Sequence, residues 1–281
     1  MEVFDAHNHL HFLEREGLLR RSELTGISGA VVNGTQETDW EEVVKICTDY
    51  RNPIHGEQFA HQGEVRLIPS LGLHPWYVSQ RTPEWEERLK QSLDTAPSAI
   101  GEIGLDRWMQ NFDWEAQQQV FQAQLRIASE RHLPITIHCL KAWGKLLETL
   151  GESPRLKPGF LLHSYSGPAE MMASFIELGA YFSFSGYFAH SRKERQRSAF
   201  KLVPIERLLV ETDAPDMLPP PELQRFSIVK TGPTGDTRHL NHPANILAVY
   251  EYCAELRGIP LEEFSQQIAA NFKALFGRLL P

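Results

Sequence analysis

Eight short apolar segments alternate along the chain with segments of helical periodicity, and this alternation limits the possible fold more than any other feature. Such alternation is typical of a sheet of parallel strands that are joined by crossover helices. We therefore predict a fold of the α/β class. The predicted strands are Val3–His9, Ile27–Asn33, Val65–Gly72, Ala99–Ile103, Pro134–His138, Gly159–His163, Tyr181–Ser185 and Arg207–Thr212.

The number of predicted strands favours a closed barrel. Eight strands, most of them followed by a helix, are the arrangement of a (β/α)8 TIM-like barrel. A doubly wound open sheet is the alternative, but no GxGxxG motif follows the first strand. We expect one domain over residues 1–281. The predicted helices are Asp39–Tyr50, Glu84–Leu93, Trp114–Arg131, Ala142–Leu150, Pro168–Leu178, Arg192–Lys201, Pro243–Arg257 and Leu261–Phe276.

Two segments are predicted to lie outside this repeat. Arg51–Gly63 is a polar insertion that carries His55 and His61, and we expect both histidines to be exposed to solvent. Leu218–His242 is rich in proline and glycine and is predicted to be a long loop. That loop is either a lid over the barrel mouth or a surface connection.

The composition excludes some classes of protein. Hydrophobic residues make up 42% of the 281 residues, and the formal net charge is −8. A protein that binds nucleic acid through charge alone should be basic, so an anionic substrate would need local cations or bound metal. No apolar run approaches the roughly 20 residues of a membrane span, and no signal peptide is evident. Three scattered cysteines without a CxxC pair indicate a reducing compartment, so we expect a cytoplasmic protein.

The segment Asp5-Ala6-His7-Asn8-His9 ends the first predicted strand with polar residues at every second position. Because side chains alternate along a strand, Asp5, His7 and His9 should share one face. Two imidazoles on one face can reach the same metal ion. The alternative is a strand whose polar residues are turned to water.

Residues able to bind metal recur at the ends of later predicted strands. A lone histidine is more often structural than a ligand, but the carboxyl ends of barrel strands all converge on one mouth. Strand parity turns these side chains toward that mouth wherever it can be checked. The pattern therefore predicts a shared metal site. The residues are His7, His9, His74, Glu102, His138, His163 and Asp213.

These motifs resemble those of the TatD-type metal-dependent deoxyribonucleases of the amidohydrolase superfamily, over nearly the whole chain. The resemblance implies a TIM-like barrel and two divalent metal ions, Zn²⁺, Mn²⁺ or Mg²⁺. The motifs are Asp5–Leu10, Gly72-Leu73-His74-Pro75, Gly101–Asp106, Ile137-His138, His163–Gly167, Glu211–Pro215 and, near the end, Asn271-Phe272 with Leu275-Phe276. The ligands that it implies are His7, His9 and Asp213 for one ion, His138 and His163 for the other, and Glu102 between the two.

Two carboxylates receive catalytic roles in this interpretation. Two ions roughly 3.5–4 Å apart lower the pKa of a bound water and stabilise charge that develops on phosphate. Asp213 could orient that water and accept its proton, and Glu102 could bridge the ions without chemical modification. Asp5 and Glu211 lie one inward step below His7 and Asp213. They either orient the metal ligands or are buried polar residues bonded to backbone.

Substrate binding is assigned to His74, Lys141 and Tyr165. His74 could contact phosphate or serve as packing at the strand end. Three aromatic residues could stack a base or belong to the core, and a basic run could face DNA or water. The aromatic residues are Trp76, Trp108 and Tyr165, and the basic run is Arg192, Lys193, Arg195 and Arg197.

The chain departs from the usual family pattern at places where substrate could be bound. Leu140 stands where an arginine is usual. A cation that takes the place of this arginine could come from a nearby residue or from the long loop. The other departures are His11 and Asn241-His242-Pro243. The candidate replacements are Lys141, Arg225, Lys230 and Arg238.

The resulting functional hypothesis is a metal-dependent hydrolase, foremost a deoxyribonuclease, that acts on DNA or a small phosphodiester. A first alternative uses the same site as an amidohydrolase or as a deacylase of aminoacyl-tRNA. A second is a non-catalytic scaffold stabilised by metal, although a scaffold needs no open double site. Neither a membrane nor a protein partner is indicated.

Overall fold

A computed structural model describes residues 1–24, 26–50 and 65–281. The predicted polar insertion Arg51–Gly63, with His55 and His61, lies outside the described residues. The strands are β1 Phe4–Asn8, β2 Gly29–Asn33, β3 Arg66–Leu71, β4 Ala99–Asp106, β5 Ile135–Leu140, β6 Phe160–Leu162, β7 Ala180–Ser185, β8 Leu208–Glu211, β9 Ser227–Thr231 and β10 Thr237–Asn241. The α-helices are α1 Leu10–Arg15, α2 Trp40–Asp49, α3 Trp85–Thr95, α4 Trp114–Arg131, α5 Trp143–Glu152, α6 Met172–Glu177, α7 Glu194–Phe200, α8 Ile246–Arg257 and α9 Leu261–Phe276.

The first eight strands form one sheet in the order of the sequence, β1 to β8, and every neighbouring pair is parallel. A doubly wound sheet would instead reverse its strand order at one point. The sequential order, with helices between the strands, confirms the predicted (β/α)8 barrel.

Hydrogen bonds between the carboxyl end of β1 and the segment that follows β8 close the barrel. The amide of Asp213 donates to the carbonyl of His7 at 2.9 Å, and the amide of His9 donates to the carbonyl of Ala214 at 2.7 Å. Below them, the buried carboxylate of Asp5 accepts from the amide of Thr212 at 3.0 Å. The seam of the barrel is therefore also the place where the first metal-binding motif meets the last.

Local sequence signals explain the helix ends and the close strand pairing. In α4, Asp113 accepts from the amide of Ala116 at 2.9 Å, and His132 ends the helix in the left-handed conformation with φ 54. Glycine is required at position 104, since its φ is +151 and a Cβ there would lie 1.9 Å from the carbonyl oxygen of His138. This close approach brings β4 and β5 together beside the candidate ligands.

Packing at the amino end of the barrel joins the C-terminal helices to β1. The ring of Phe4 stacks on Phe272 of α9 with centroids 4.4 Å apart. The hydroxyl of Tyr250, in α8, both accepts from the amide of Phe4 and donates to its carbonyl. The last two helices thus fix the strand that carries His7.

The prediction that Leu218–His242 is a loop is wrong in one respect, because the segment contains the antiparallel hairpin of β9 and β10. Gly235, with φ +84, makes the turn possible, and its amide donates to the carbonyl of Gly232. The amide of Gly232 in turn donates to the carbonyl of Asp236. The proline and glycine content of the segment did not indicate these two strands, which are mostly exposed. Over the part of the chain that the structure describes, no helix has the length and apolar character to cross a membrane.

Candidate metal centre

Glu102 lies at the centre of the carboxyl-end face of the barrel. It extends from β4 and is 3% exposed. Its oxygen Oε2 lies 3.5 Å from Nε2 of His7 and 3.2 Å from Nε2 of His9. Asp213 completes this side, since its Oδ1 lies 3.4 Å and 3.5 Å from the same two nitrogens. These groups form one compact set of potential ligands.

The other oxygen of Glu102, Oε1, faces a second set of imidazoles. It lies 3.3 Å from Nε2 of His74, 3.0 Å from Nδ1 of His138 and 2.8 Å from Nε2 of His163. The two sets are connected, because the ring of His163 stacks on that of His7 with centroids 4.0 Å apart. One carboxylate therefore separates two groups of imidazoles.

The donor set fits divalent metal ions. Imidazole nitrogens and carboxylate oxygens are the ligands preferred by Zn²⁺, Mn²⁺ and similar ions. Each potential group has ligand atoms that all lie within 4.8 Å of one another. Among the described residues the groups are His7 with His9 and Asp213, His7 with Glu102 and His163, and His74 with Glu102 and His138.

Hydrogen bonds orient two of the imidazoles toward the centre. Nδ1 of His9 lies 2.7 Å from the carbonyl oxygen of Asn33, which can only accept a hydrogen bond. Nδ1 therefore carries the proton, and the lone pair of Nε2 is left for a metal ion. In His138, Nε2 lies 2.9 Å from Oδ2 of Asp106 and Nδ1 points toward Glu102.

Burial and neighbouring charges prepare these groups for metal binding. Burial alone would raise the pKa of Glu102, but His74 and His163 hold that pKa well below its usual range. Asp213 is similar, since burial is outweighed by His7 and the pKa is lowered. Burial lowers the pKa of His74 to about 4 despite Glu102 nearby. Both carboxylates are thus ionised at neutral pH. His74 is neutral, and its Nδ1 accepts from the amide of Trp76 at 3.2 Å, so its Nε2 carries the proton and faces Oε1 of Glu102.

Asp106 is a functional candidate that the sequence interpretation missed. It is buried and bonds Nε2 of His138, and this contact outweighs burial in holding the pKa of Asp106 below its usual range. The predicted strand ended at Ile103, whereas β4 continues to Asp106. Strand parity from Glu102 would have identified Asp106, because it lies two inward steps further along the same strand.

The contacts of Asp5 match the alternative of a buried polar residue that is bonded to backbone. Its Oδ1 accepts from the amides of His7 at 3.3 Å and Thr212 at 3.0 Å, and its Oδ2 accepts from Asn8 at 3.1 Å and the Thr212 hydroxyl at 2.5 Å. Burial raises the pKa of Asp5 to about 7, although all four donors favour the ionised form. Asp5 therefore positions the backbone of the ligand-bearing segments, and its bonds do not reach an imidazole.

Glu211 lies behind His163. Its Oε1 accepts from the hydroxyl of Ser164 at 2.5 Å and lies 3.7 Å from Nδ1 of His163, and its Oε2 accepts from Ser183. This carboxylate is near enough to influence the imidazole but bonds the two serines directly. The arrangement is consistent with the predicted orienting role.

The three residues assigned to substrate binding lie in different environments. His74 lies beside the ligand cluster, with its Nε2 3.3 Å from Oε1 of Glu102. Lys141 is exposed at the end of β5 with φ 53. Tyr165 is only 1% exposed, and its hydroxyl donates to the carbonyl of Pro168 at 2.7 Å.

The position of Tyr165 corrects the prediction that it contacts substrate. Ser164 has φ 42, so the chain reverses direction immediately after His163. The ring of Tyr165 is thereby turned inward, where it packs against Trp143 and Phe182 with centroids 4.6 Å and 5.0 Å away. Neither base stacking nor another substrate contact is available to this buried ring.

The predicted basic run divides into structural and accessible residues. Arg197 donates to the carbonyls of Phe188 and Ala189 at 3.0 Å and 3.3 Å and so holds the loop after β7. The guanidinium of Arg192 and the ammonium of Lys193 lie over the ring of Tyr187, 5.2 Å and 4.8 Å from its centroid. Arg192 and Lys193 thus form a local positive group in the segment that follows β7.

The cations of the long loop are paired with carboxylates. Such exposed pairs are weak, but they reduce the charge available to a phosphate. Lys141, by contrast, has no ion pair among the described residues. The loop pairs are Arg225 with Glu251, Lys230 with Glu16 and Arg238 with Asp216.

The departures from the family pattern do not add metal ligands. His11 is buried, with Nε2 3.7 Å from Oδ2 of Asp39. The side chain of Asn241 donates to the carbonyl of Thr212 at 2.9 Å, and His242 accepts from the amide of Ala244 at 3.0 Å. Asn241 thus reinforces the barrel seam.

Comparisons with known proteins agree with this geometry. A family model described as "TatD related DNase" matches residues 4–277. The "uncharacterized metal-dependent hydrolase YjjV" of Escherichia coli K12 is 27% identical over 279 residues, or 97% of this chain and 96% of that protein. The "3'-5' ssDNA/RNA exonuclease TatD" of Citrobacter koseri is 30% identical over 273 residues, or 94% of this chain and 93% of that protein. The crystal structure of YjjV, a TatD homologue from E. coli K12, superposes with a TM-score of 0.80 at 26% identity and covers 98% of both chains.

Proposed function

The chain belongs to the family of TatD-related DNases, and from that premise we propose that it is a two-metal phosphodiesterase that cleaves single-stranded nucleic acid. It is a metal-dependent hydrolase, like the relatives with which it aligns over nearly its whole length. The proposal concerns the number and identity of the ions, the substrate and the roles of individual residues.

The position of Glu102 between two groups of imidazoles carries this proposal. Its Oε2 lies within 3.5 Å of His7 and His9, and its Oε1 within 3.0 Å of His138 and His163. One carboxylate with ligands on both sides is the arrangement required to bridge two ions. His7, His9 and Asp213 would hold the first ion, and Glu102 would contact both.

The second ion has two imidazoles as its proposed ligands, His138 and His163. His74 lies beside them, with Nε2 3.3 Å from the same oxygen of Glu102. Because Nδ1 of His74 accepts from the amide of Trp76, its Nε2 carries a proton that it could donate to the substrate phosphate. Asp106 fixes the ring of His138 through its Nε2, which leaves Nδ1 for the metal.

Two bound ions supply a water of lowered pKa and neutralise the charge that develops on the phosphate. Asp213 is the proposed proton acceptor. Its lowered pKa keeps it ionised at neutral pH, and its Oδ1 already lies next to His7 and His9. A carboxylate held in this position can both orient the nucleophile and take its proton.

A phosphodiester of nucleic acid is the proposed substrate because the chemistry of the site and the relatives agree on it. The relative from Citrobacter koseri is named as an exonuclease of single-stranded DNA and RNA. Amide hydrolysis, deacylation of aminoacyl-tRNA and a non-catalytic scaffold are not favoured by the family match. The net charge of −8 is also compatible with an anionic substrate if the metals provide the attraction.

We also propose a cytoplasmic location and a single domain. Cys139 and Cys253 are buried free thiols, which is the usual state of cysteines in a reducing compartment. The eight-stranded barrel and the C-terminal helices share one continuous core.

A panel of substrates tests the proposed function. The purified protein, loaded with Mn²⁺, Mg²⁺ or Zn²⁺, would be incubated with single-stranded DNA, duplex DNA, RNA, a small phosphodiester and a small amide. We expect cleavage of the single strands and of the small phosphodiester, with chelation abolishing both and added metal restoring them. Amide hydrolysis without phosphodiester cleavage would contradict the proposal.

A further inference from the structure

Trp76 lies where the cluster of imidazoles meets solvent. Trp76 belongs to the segment that follows β3. It is 40% exposed, which is unusual for a large aromatic residue at a concave site. The centroid of its ring is 5.0 Å from that of His74 and 6.2 Å from that of His138, with interplanar angles of 87° and 71°. One edge of the indole thus rests on the metal cluster while part of its surface is open.

The indole is held in place rather than free to rotate. Its Nε1 donates to Oδ2 of Asp106 at 2.7 Å, and the same oxygen lies 2.9 Å from His138. The other oxygen, Oδ1, accepts from the amide of Trp108 at 2.6 Å, and Trp108 is 60% exposed. One buried carboxylate therefore binds the indole of Trp76, the backbone of Trp108 and a candidate metal ligand.

A cation follows the neighbouring strand, β5. The amide of Arg107 donates to the carbonyl of Leu140 at 2.9 Å, which places Lys141 beside the segment that carries Trp108. Lys141 is exposed and, among the described residues, has no carboxylate partner. Aromatic surfaces and a nearby cation are the combination by which proteins bind single-stranded nucleic acid.

We infer that Trp76, whose indole is bonded to Asp106, and Trp108, whose backbone amide is bonded to it, form a base-binding subsite for the nucleotide next to the phosphate at the metal centre. This inference rests on the proposed function and makes it more specific. Stacking requires an unpaired base, because the faces of bases in a duplex are covered by their neighbours. The subsite therefore selects single strands over duplexes, and Lys141 attracts the adjoining phosphate.

A purely structural role for Trp76 makes a different prediction. If the indole N–H only fixed Asp106 and thereby His138, its loss would impair every substrate equally. If the ring stacks, its loss would impair only substrates that carry a base. Trp76→Phe separates the two roles further, since phenylalanine keeps an aromatic face but has no N–H to donate.

Binding can be measured without cleavage by using fluorescein-labelled oligothymidylate with phosphorothioate linkages and a matched oligomer of abasic residues. Loss of one stacked base weakens binding by about 5- to 150-fold. We expect Trp76→Ala and Trp108→Ala each to weaken binding of oligothymidylate to this extent, with little change for the abasic oligomer. Trp76→Phe should retain most of the affinity. In cleavage assays the alanine variants should raise KM for single-stranded DNA by a similar factor.

Leu202→Ala is the control, because Leu202 is 69% exposed in the segment between α7 and β8, at the opposite end of the barrel. Equal losses on both oligomers, or equal affinity of the unaltered protein for both, would overturn the inference. If Trp76→Ala does not fold, Trp108→Ala decides, and unchanged binding by that variant overturns it. Absence of cleavage of any nucleic acid would instead overturn the proposed function.

Discussion

The carboxylate of Asp5 should be the most sensitive point of the barrel seam. It is fully buried and accepts hydrogen bonds from four donors, two of which are the backbone amides of His7 and Thr212. Asp5→Ala removes every one of these acceptor contacts. Each buried donor left without an acceptor costs about 1–3 kcal/mol, so the two amides alone predict a loss of about 2–6 kcal/mol. That is a large fraction of the about 5–15 kcal/mol by which a typical protein is stable.

Asp5→Asn provides a graded comparison. Both backbone amides bond Oδ1, and asparagine keeps one carbonyl oxygen for them. Its amide group can still donate to the hydroxyl of Thr212, while Asn8 must rotate its own amide to accept. The asparagine variant should therefore lose less stability than the alanine variant.

Urea unfolding in the presence of chelator, followed by circular dichroism, measures this effect without any contribution from bound metal. Asp94→Ala is the control, because Asp94 is 67% exposed and pairs with Arg131 at the surface. An exposed pair of this kind contributes about 0–1 kcal/mol. If Asp5→Ala lowers the unfolding midpoint no more than Asp94→Ala does, the proposed role of the seam is refuted.

Three further single variants, and one double variant as a control, test separate parts of the site. Asp213→Asn keeps the shape of the side chain but is a poor base, so steady-state assays should show activity lower by about 10²–10⁴-fold. Asp106→Asn weakens the orientation of His138, and titration should show metal affinity at that side lower by about 10–100-fold. Lys141→Ala should flatten the salt dependence of single-stranded DNA binding by about 0.7 in log–log slope. Because Arg225 and Lys230 are already paired with carboxylates, their joint replacement by alanine should leave that slope unchanged.

The sequence predicted the barrel and its ligand cluster because both follow from simple periodicities. Alternation within a strand places His7 and His9 on one side, and parallel strands bring their carboxyl ends to one mouth. These rules need no knowledge of packing. They therefore identified residues as distant in the chain as His9 and Asp213, whose side chains lie 3.5 Å apart.

The rules failed where the backbone leaves regular geometry or where an element end was misplaced. Tyr165 was misassigned because the left-handed Ser164 reverses the chain after β6, and no strand parity extends through such a turn. Asp106 was missed because β4 continues beyond Ile103. The hairpin of β9 and β10 was missed because exposed strands lack the apolar alternation that identifies buried ones.

The central claim is that Glu102 joins two metal ions, and metal content tests it most directly. The protein and its Glu102→Ala variant would be loaded with metal, freed of excess ions by gel filtration and examined by elemental analysis, with circular dichroism as the control for folding. We expect two ions per chain in the unaltered protein and loss of both in the folded variant, because each oxygen of Glu102 faces one group of imidazoles. A folded Glu102→Ala variant that retains two ions at full occupancy would contradict the account.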